Sequence, residues 1–198
     1  MANKEILVEG ERFELYLNHA KIQKRVKAMA KEISADYKDT TPIVLCVLNG
    51  AFMFYSDLLK NLTIDCETAF LPLSSYGNAK TSSGVVKLLG KLPRNFKGRD
   101  ILVVEDIVDS GATIEFLVKA LKGLKVRSFR IISLLYKNES VKSTVTIHYI
   151  GFQIPRHFVI GYGLDYAQKK RNLRDVYKLK AHKVEPTKSQ RKKQSNGR

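Results

Sequence analysis

The sequence has few of the residues that mark several common classes of protein. Its 198 residues include no Trp, five Pro and two Cys. Because Cys46 and Cys66 offer neither a disulfide framework nor the ligand spacing of a zinc site, they indicate a reducing compartment. No apolar run approaches the roughly 20 residues of a membrane-spanning helix, and the acidic N-terminus lacks the pattern of a secretory signal. We therefore expect a cytoplasmic protein without a membrane segment.

Acidic residues are also scarce. The chain has 19 Asp and Glu against 35 Lys and Arg, a formal net charge of +16. Residues 166–198 hold 12 of the basic residues and 2 of the acidic ones, and no apolar side chain follows Val184. We therefore predict one domain over residues 1–182 and a disordered basic tail over 183–198. Such a tail can solubilise the chain or contact nucleic acid, and without interleaved aromatic residues the first role is favoured.

The apolar pattern of the remaining chain predicts an α/β domain. Ile22, Val26, Met29 and Ile33 recur at helical spacing and predict a helix over residues 19–36. Continuous apolar strands over 43–48, 100–106 and 130–136 alternate with predicted helices. This alternation is typical of a parallel sheet with helices on both faces, where ligands bind beyond the carboxyl ends of the strands. The other predicted elements are helices over 51–62 and 112–123 and strands over 67–76, 85–89, 147–152 and 158–162.

The segment VVEDIVDSGAT, residues 103–113, carries the strongest chemical signal. We expect Glu105 and Asp106 to end a buried strand, where adjacent carboxylates repel each other unless something binds between them. They suit two sugar hydroxyls, or Mg²⁺ through water. Asp109 then lies where a general base could reach a bound substrate.

The next four residues predict a phosphate-binding turn at the start of a helix. Gly111 permits a tight turn, and hydroxyl donors flank the free amides of the helix N-terminus. Ser110 alone could equally be a simple helix cap. Since the chain has neither a Walker A lysine nor a G-x-G-x-x-G pattern, P-loop and dinucleotide sites are excluded. The cradle comprises Ser110, Gly111, Ala112 and Thr113.

This motif resembles the phosphoribosyl pyrophosphate signature of type I phosphoribosyltransferases. Residues 20–175 are similar to the hypoxanthine or hypoxanthine-guanine members of that family. The resemblance implies a parallel sheet flanked by helices, with a small hood built from the N- and C-terminal segments. It also implies purine salvage: transfer of 5-phosphoribosyl from phosphoribosyl pyrophosphate to hypoxanthine, and to guanine, with Mg²⁺ as cofactor. The products would be IMP or GMP and pyrophosphate, and the chain would form a homodimer or homotetramer.

The resemblance assigns the leaving-group end of the site to two segments. Asn49 and Gly50 correspond to the pyrophosphate loop, in which the peptide bond preceding the Gly can be cis. Many members carry Lys where this chain has Asn49, so the Gly50 amide is the expected donor. An ordinary Asn-Gly turn is the alternative. Arg171 corresponds to an arginine that contacts pyrophosphate.

Ser75 and Tyr76 correspond to the start of a mobile loop that closes over the site and excludes water. Residues 77–84 are polar and flanked by Gly, so they predict a long loop. That loop is either a lid or a plain hairpin connection.

The resemblance assigns the purine pocket to four residues. Lys137 would donate to the purine 6-oxo group, Phe158 would stack on the ring, and Val159 would meet the base edge through its backbone. Asp165 would line the same pocket and join Glu105 and Asp106 in binding Mg²⁺. Taken singly, they could be a surface lysine, a core phenylalanine and a turn aspartate.

Two classes of function remain after these assignments: a salvage enzyme, and a regulator that keeps the fold and binds nucleic acid. The enzyme is favoured because a pure regulator has no need of the purine pocket formed by Lys137, Phe158 and Asp165. Selection among hypoxanthine, guanine and xanthine stays open.

Overall fold

Two β-sheets organise the chain in the computed structural model, which describes residues 4–78, 81–89, 94–140 and 144–180. The predicted basic tail, 183–198, and the predicted domain limit at residue 182 lie outside these ranges. The described elements, in chain order, are β1 (Glu5–Val8), β2 (Glu11–Leu17), α1 (His19–Asp36), β3 (Ile43–Leu48), α2 (Phe52–Asn61), β4 (Glu67–Asn78), β5 (Thr81–Leu88), a 3-10 turn (Arg94–Phe96), β6 (Asp100–Val108), α3 (Ala112–Gly123), β7 (Ser128–Tyr136), β8 (Tyr149–Gln153), β9 (Val159–Ile160) and β10 (Val176–Leu179).

The larger sheet has the order β5-β4-β3-β6-β7-β8. Strands β4, β3, β6, β7 and β8 run parallel, and β5 pairs antiparallel with β4 at the edge. The central strands read as continuous apolar runs because both of their faces are buried. The predicted α/β architecture is confirmed.

Helices cover both faces of this sheet. Helices α1 and α2 pack on one face, where alternate strand residues such as Val44 and Leu102 point. Helix α3 packs on the other face, against Leu45 and Val103. The four residues that predicted α1 are all buried on the sheet side, and Asn18 caps that helix by accepting the Lys21 amide at 2.8 Å. The sequence prediction for this helix is confirmed.

The smaller sheet has the order β1-β2-β10-β9, with antiparallel pairing throughout. It joins the N-terminal hairpin to two strands from the C-terminal part of the chain, as expected for the hood. Phe13, Ile160 and Tyr177 form its buried core. The strands β1, β2 and β10 have no counterpart among the predicted elements.

Two predicted boundaries are wrong. The long loop expected over residues 77–84 is instead mostly strand, since Gly77 pairs with Ser82 and Asn78 with Thr81. The segment is therefore a β4–β5 hairpin. The strand expected to end at Asp106 continues to Val108, because Ile107 and Val108 keep their register with β7.

Among the helices of the described residues, none combines the length and the hydropathy of a transmembrane segment.

Candidate active site

Three of the predicted site segments follow the carboxyl ends of neighbouring parallel strands. Asn49 follows β3, Asp109 follows β6, and Lys137 follows β7. Since β6 pairs with both β3 and β7, these segments meet at one edge of the sheet. This is the edge where open parallel sheets bind their ligands.

Glu105 and Asp106 lie within β6 as predicted, although the strand continues for two residues beyond them. Both are buried, with exposed fractions of 8% and 9%. Burial and the charge of Asp106 raise the pKa of Glu105 well above its usual range. Burial also raises the pKa of Asp106, against the opposing effects of Glu105, the Ile107 amide and Arg171. Two buried acids side by side are costly unless a ligand engages them.

One carboxylate oxygen of this pair has no partner among the described residues. Glu105 Oε2 is buried without a hydrogen bond, whereas Asp106 Oδ1 accepts the Ile107 amide at 2.8 Å. A buried acceptor without a partner is uncommon in proteins and points to a group that is bound during function. Ligand hydroxyls or a hydrated cation would satisfy it.

Gly50 lies directly against the Asp106 carboxylate. A side-chain carbon at Gly50 would lie 1.7 Å from Asp106 Oδ2, so only glycine fits. The peptide bond between Leu48 and Asn49 is cis, which corrects the expectation of a cis bond between Asn49 and Gly50. The Asn49 side chain is exposed. The Asn49–Gly50 loop therefore packs directly on Asp106 of the acidic pair.

Lys137 and Asp109 form an ion pair, with Lys137 Nζ 2.6 Å from Asp109 Oδ2. The Lys137 side chain is 11% exposed and the Asp109 side chain 52% exposed. The alternative of an ordinary surface lysine is wrong, since the ammonium is buried and partnered. The Lys137 amide also donates to the Val108 carbonyl, which fixes the start of this segment beside β6. The two predicted site residues are brought together.

The predicted phosphate cradle opens α3. Gly111 has φ +88° and directly precedes the helix, a conformation that favours glycine. Within the described residues no side chain caps α3, so Ser110 is not a conventional cap. Its Oγ accepts only a long bond, 3.4 Å, from the Ala112 amide. The first-turn amides of the helix, including that of Thr113, therefore face outward for an anion.

The predicted purine segment lies in the hood. The Phe158 ring is partly buried and contacts the rings of Phe13, with centroids 6.1 Å apart, and Tyr166, at 5.8 Å. Phe158 O accepts the Leu179 amide at 2.9 Å. Since hydrogen-bonding direction alternates along an antiparallel strand, the Val159 amide and carbonyl face away from β10, at the open edge of β9. This orientation agrees with the predicted backbone contact to a base.

Arg171 and Asp165 form a second ion pair, with Nη2 2.7 Å from Asp165 Oδ1. Arg171 also donates to the Gly163 carbonyl at 2.8 Å and to Gln168 at 3.1 Å. Asp165 Oδ2 accepts a hydrogen bond from the Gln168 amide at 2.8 Å, so this side chain also stabilises the local turn. No hydrogen bond or ion pair within the described residues joins this pair to Glu105 or Asp109, although the Arg171 charge lowers the pKa of Asp106.

Ser75 and Tyr76 lie on β4, beyond the point where Leu48 of β3 pairs with Pro72. The β4–β5 hairpin thus extends past the carboxyl end of β3, where the Asn49–Gly50 loop begins. This places the predicted mobile segment beside the candidate site.

Residues in the described part of the chain do not form a group of three or more metal-binding side chains. The paired carboxylates Glu105 and Asp106, with one buried oxygen unpartnered, nevertheless fit a metal that arrives with a phosphate ligand. Mg²⁺ is commonly held in this way, by one or two carboxylates, water and substrate phosphates.

Comparison with known proteins places this geometry in a family. Residues 14–167 match the phosphoribosyl transferase domain. The chain belongs to this family. The chain is 42% identical over 164 residues to the hypoxanthine-guanine phosphoribosyltransferase of Bacillus subtilis (strain 168), and the match covers 83% of this chain and 91% of that protein.

Solved structures of the same family are similar to this chain. A hypoxanthine-guanine phosphoribosyltransferase from Bacillus anthracis has a TM-score of 0.78 and 38% identity, covering 83% of this chain and 97% of that one. A hypoxanthine phosphoribosyltransferase from Staphylococcus aureus has a TM-score of 0.79 and 32% identity, covering 87% and 94% of the two chains. The comparisons confirm the family and the fold indicated by the motif.

Sequence reasoning missed the contribution of Gly163. It has φ +99°, and a side-chain carbon there would lie 2.0 Å from the Gly50 carbonyl oxygen. The turn of the hood therefore packs backbone against backbone on the Asn49–Gly50 loop. The pattern Gly161-Tyr162-Gly163 could have signalled a turn with positive φ, but not its contact.

Proposed function

We propose that the chain is a purine-salvage enzyme that transfers 5-phosphoribosyl from phosphoribosyl pyrophosphate to hypoxanthine, and to guanine. The products are IMP or GMP and pyrophosphate. The observation that carries the proposal is the meeting, at one sheet edge, of the acidic pair, the Gly50 loop and the Asp109–Lys137 pair. Family membership supports the same reaction.

The sugar phosphate is assigned to the β6–α3 segment. The outward amides of α3, with Ser110, Gly111, Ala112 and Thr113, suit the 5′-phosphate because a helix N-terminus favours negative charge. Glu105 and Asp106 suit the ribose hydroxyls, which would satisfy the unpartnered Glu105 Oε2. Gly50 and Arg171 are assigned to pyrophosphate, the first through its amide and the second through its guanidinium.

The purine is assigned to the space between the sheet edge and the hood. Lys137 donates to the 6-oxo group, Phe158 stacks on the ring, and the open backbone of Val159 meets the base edge. Asp109 accepts a proton from the purine ring while N9 bonds to C1′ and the bond from C1′ to pyrophosphate breaks. General-base catalysis of this kind contributes about 10²–10⁴-fold in rate.

We propose Mg²⁺ as the metal of this reaction. It would be held by Glu105 and Asp106, with Asp165 as a further ligand, together with the substrate's own oxygens. When bound, it would neutralise charge on the departing pyrophosphate. Ser75 and Tyr76 would begin the segment that covers the site.

We further propose that the chain forms a homodimer or homotetramer in the cytoplasm. An apolar surface supports the first part: Phe52 and Phe70 are 42% and 54% exposed beside a cavity of about 370 Å³. Exposed apolar patches of this kind mark interaction surfaces. Light scattering on the purified chain tests the assembly, and fractionation of the source cells tests the location.

The reaction is tested by supplying Mg²⁺, phosphoribosyl pyrophosphate and one base at a time. We expect IMP from hypoxanthine and GMP from guanine, with pyrophosphate in equal amount. Adenine should react poorly because its 6-amino group cannot accept a bond from Lys137. If adenine formed a nucleotide and neither hypoxanthine nor guanine did, the proposed function would be contradicted.

A further inference from the structure

A partly buried polar cluster connects the hood to two helices of the larger sheet. Tyr162 is fully buried, and its hydroxyl donates to Asp57 Oδ2 at 2.7 Å. Gln23 Nε2 donates to the same oxygen at 2.5 Å. Lys60 Nζ contacts the other carboxylate oxygen of Asp57 at 2.9 Å. The cluster thus joins α1, α2 and the turn that follows β9.

The turn that carries Tyr162 reaches the active site through its backbone. Tyr162 has φ +51°, and its amide donates to the Leu173 carbonyl at 2.8 Å. The next residue, Gly163, abuts the Gly50 carbonyl oxygen, and its own carbonyl oxygen accepts a hydrogen bond from the Arg171 guanidinium. A displacement of Tyr162 would therefore disturb the contacts of Gly163 with Gly50 and Arg171, the two residues assigned to pyrophosphate.

Asp57 anchors the turn to α2, the helix that begins directly after the Asn49–Gly50 loop. Burial opposes its charge, but Lys60, Tyr162 and Gln23 together hold the pKa of Asp57 below its usual range. The anchor is therefore a carboxylate, and hydrogen bonds to a charged acceptor are stronger than neutral ones. A phenylalanine could fill the same volume as Tyr162, so packing alone does not require the hydroxyl.

We propose that Tyr162, Asp57 and Gln23 are positioning residues for the transfer reaction. They hold the turn at residues 161–164 against Gly50, and so preorganise the end of the site that binds pyrophosphate. In the assignments above they contact neither the substrate nor the metal. This inference rests on the proposed function for its kinetic consequence, but the anchoring of the turn can be tested without it.

The first test compares Tyr162→Phe with Tyr55→Phe. Tyr55 is a matched control because it is buried and its hydroxyl donates to the Val44 carbonyl at 3.1 Å, behind the sheet rather than to the hood. We expect Tyr162→Phe to raise KM for phosphoribosyl pyrophosphate about fivefold or more with less than a twofold change in kcat. Tyr55→Phe should leave KM within about twofold. Equal values of KM in the two variants would overturn the proposal.

The second test follows amide exchange of peptides that cover residues 161–164 and 49–51. We expect Tyr162→Phe to accelerate exchange there by about fivefold or more, and Tyr55→Phe to leave it unchanged. Because this readout needs no turnover, a chain that made no nucleotide would reject the proposed function while exchange still tested the anchor. Unchanged exchange in Tyr162→Phe would reject the anchor alone.

A conservative variant guards against loss of folding. Asp57→Asn keeps an oxygen that can accept from both Tyr162 and Gln23, whereas Asp57→Ala removes it. We expect the Asn variant to retain KM within about threefold of the parent, and the Ala variant to match or exceed Tyr162→Phe. If the Ala variant kept KM within about threefold of the parent, the hydrogen bonds to Asp57 would not hold the turn, and the proposal would be wrong.

Discussion

Replacing Glu105 with Gln should stabilise the substrate-free protein while impairing substrate binding. Glu105 is buried beside Asp106, and its Oε2 has no partner among the described residues. The substitution keeps the shape of the side chain and removes one of two adjacent acids. Because Gln is also polar, it leaves the position without a partner, but it removes the ionisable group that burial and the Asp106 charge disfavour. We therefore expect a gain of about 1 kcal/mol or more in the free energy of unfolding near neutral pH.

The same reasoning predicts the pH dependence. Burial raises the folded-state pKa of Glu105 above its ordinary value of 4.5. A group with a raised acid pKa binds more protons when folded, so its contribution to stability is lost as pH rises between the unfolded and folded pKa values. One such group gives a slope of about 1.4 kcal/mol per pH unit within that window. This loss of stability with rising pH should be absent in the Glu105→Gln variant.

Asp100 supplies a matched control on the same strand. It is equally buried, but Oδ1 accepts from Arg127 Nε at 2.9 Å and from Ser128 Oγ at 2.7 Å. These partners hold the pKa of Asp100 below its usual range. Asp100→Asn should therefore destabilise the protein by about 1–3 kcal/mol. Urea unfolding of both variants between about pH 5 and pH 8 gives the comparison. If Glu105→Gln destabilised the protein as much as Asp100→Asn, the idea that Glu105 is held for a ligand would be refuted.

Three other variants test separate parts of the site. Asp109→Asn keeps an oxygen for Lys137 but loses the base, so kcat should fall by about 10²–10⁴-fold. The Kd for phosphoribosyl pyrophosphate, measured by calorimetry, should stay within about threefold of the parent value. Equal losses in kcat and in binding would reject the general-base role. Lys137→Gln should lower kcat/KM for hypoxanthine about tenfold or more in steady-state assays, and an unchanged value would remove Lys137 from the purine pocket. Gly163→Ala would place a carbon 2.0 Å from the Gly50 carbonyl, so it should weaken phosphoribosyl pyrophosphate binding by about tenfold or more. Gly10→Ala, at φ +80° with nothing within 4 Å, should cost only the backbone strain of about 1–2 kcal/mol in thermal unfolding.

Much of the fold could be predicted because local pattern and tertiary role agree. The helix over residues 19–36 has one apolar stripe, and that stripe is its buried face. The strand over 43–48 is apolar throughout because it lies at the centre of the parallel sheet. By contrast, β2 and β10 are short strands of the hood, and β10 pairs with residues more than a hundred positions earlier in the chain. A local pattern carries no information about such pairing.

The types of residue in the site could be predicted, but their contacts could not. Asp109 and Lys137 are 28 residues apart, and the register of β6 against β7 brings them together. Tyr162 and Asp57 are 105 residues apart. The order of residues in the motif indicated phosphate and sugar chemistry. Which acid lies against Gly50, and which lysine neutralises the base, depends on strand register and on the fit of the hood over the sheet.

A crystal structure of the chain with IMP bound would test the central assignment most directly. We expect the 5′-phosphate at the amides of residues 110–113, and the 6-oxo group within hydrogen-bond distance of Lys137 Nζ. We also expect the purine ring stacked on Phe158. A nucleotide bound elsewhere, or bound at this edge with its phosphate away from the start of α3, would contradict the account.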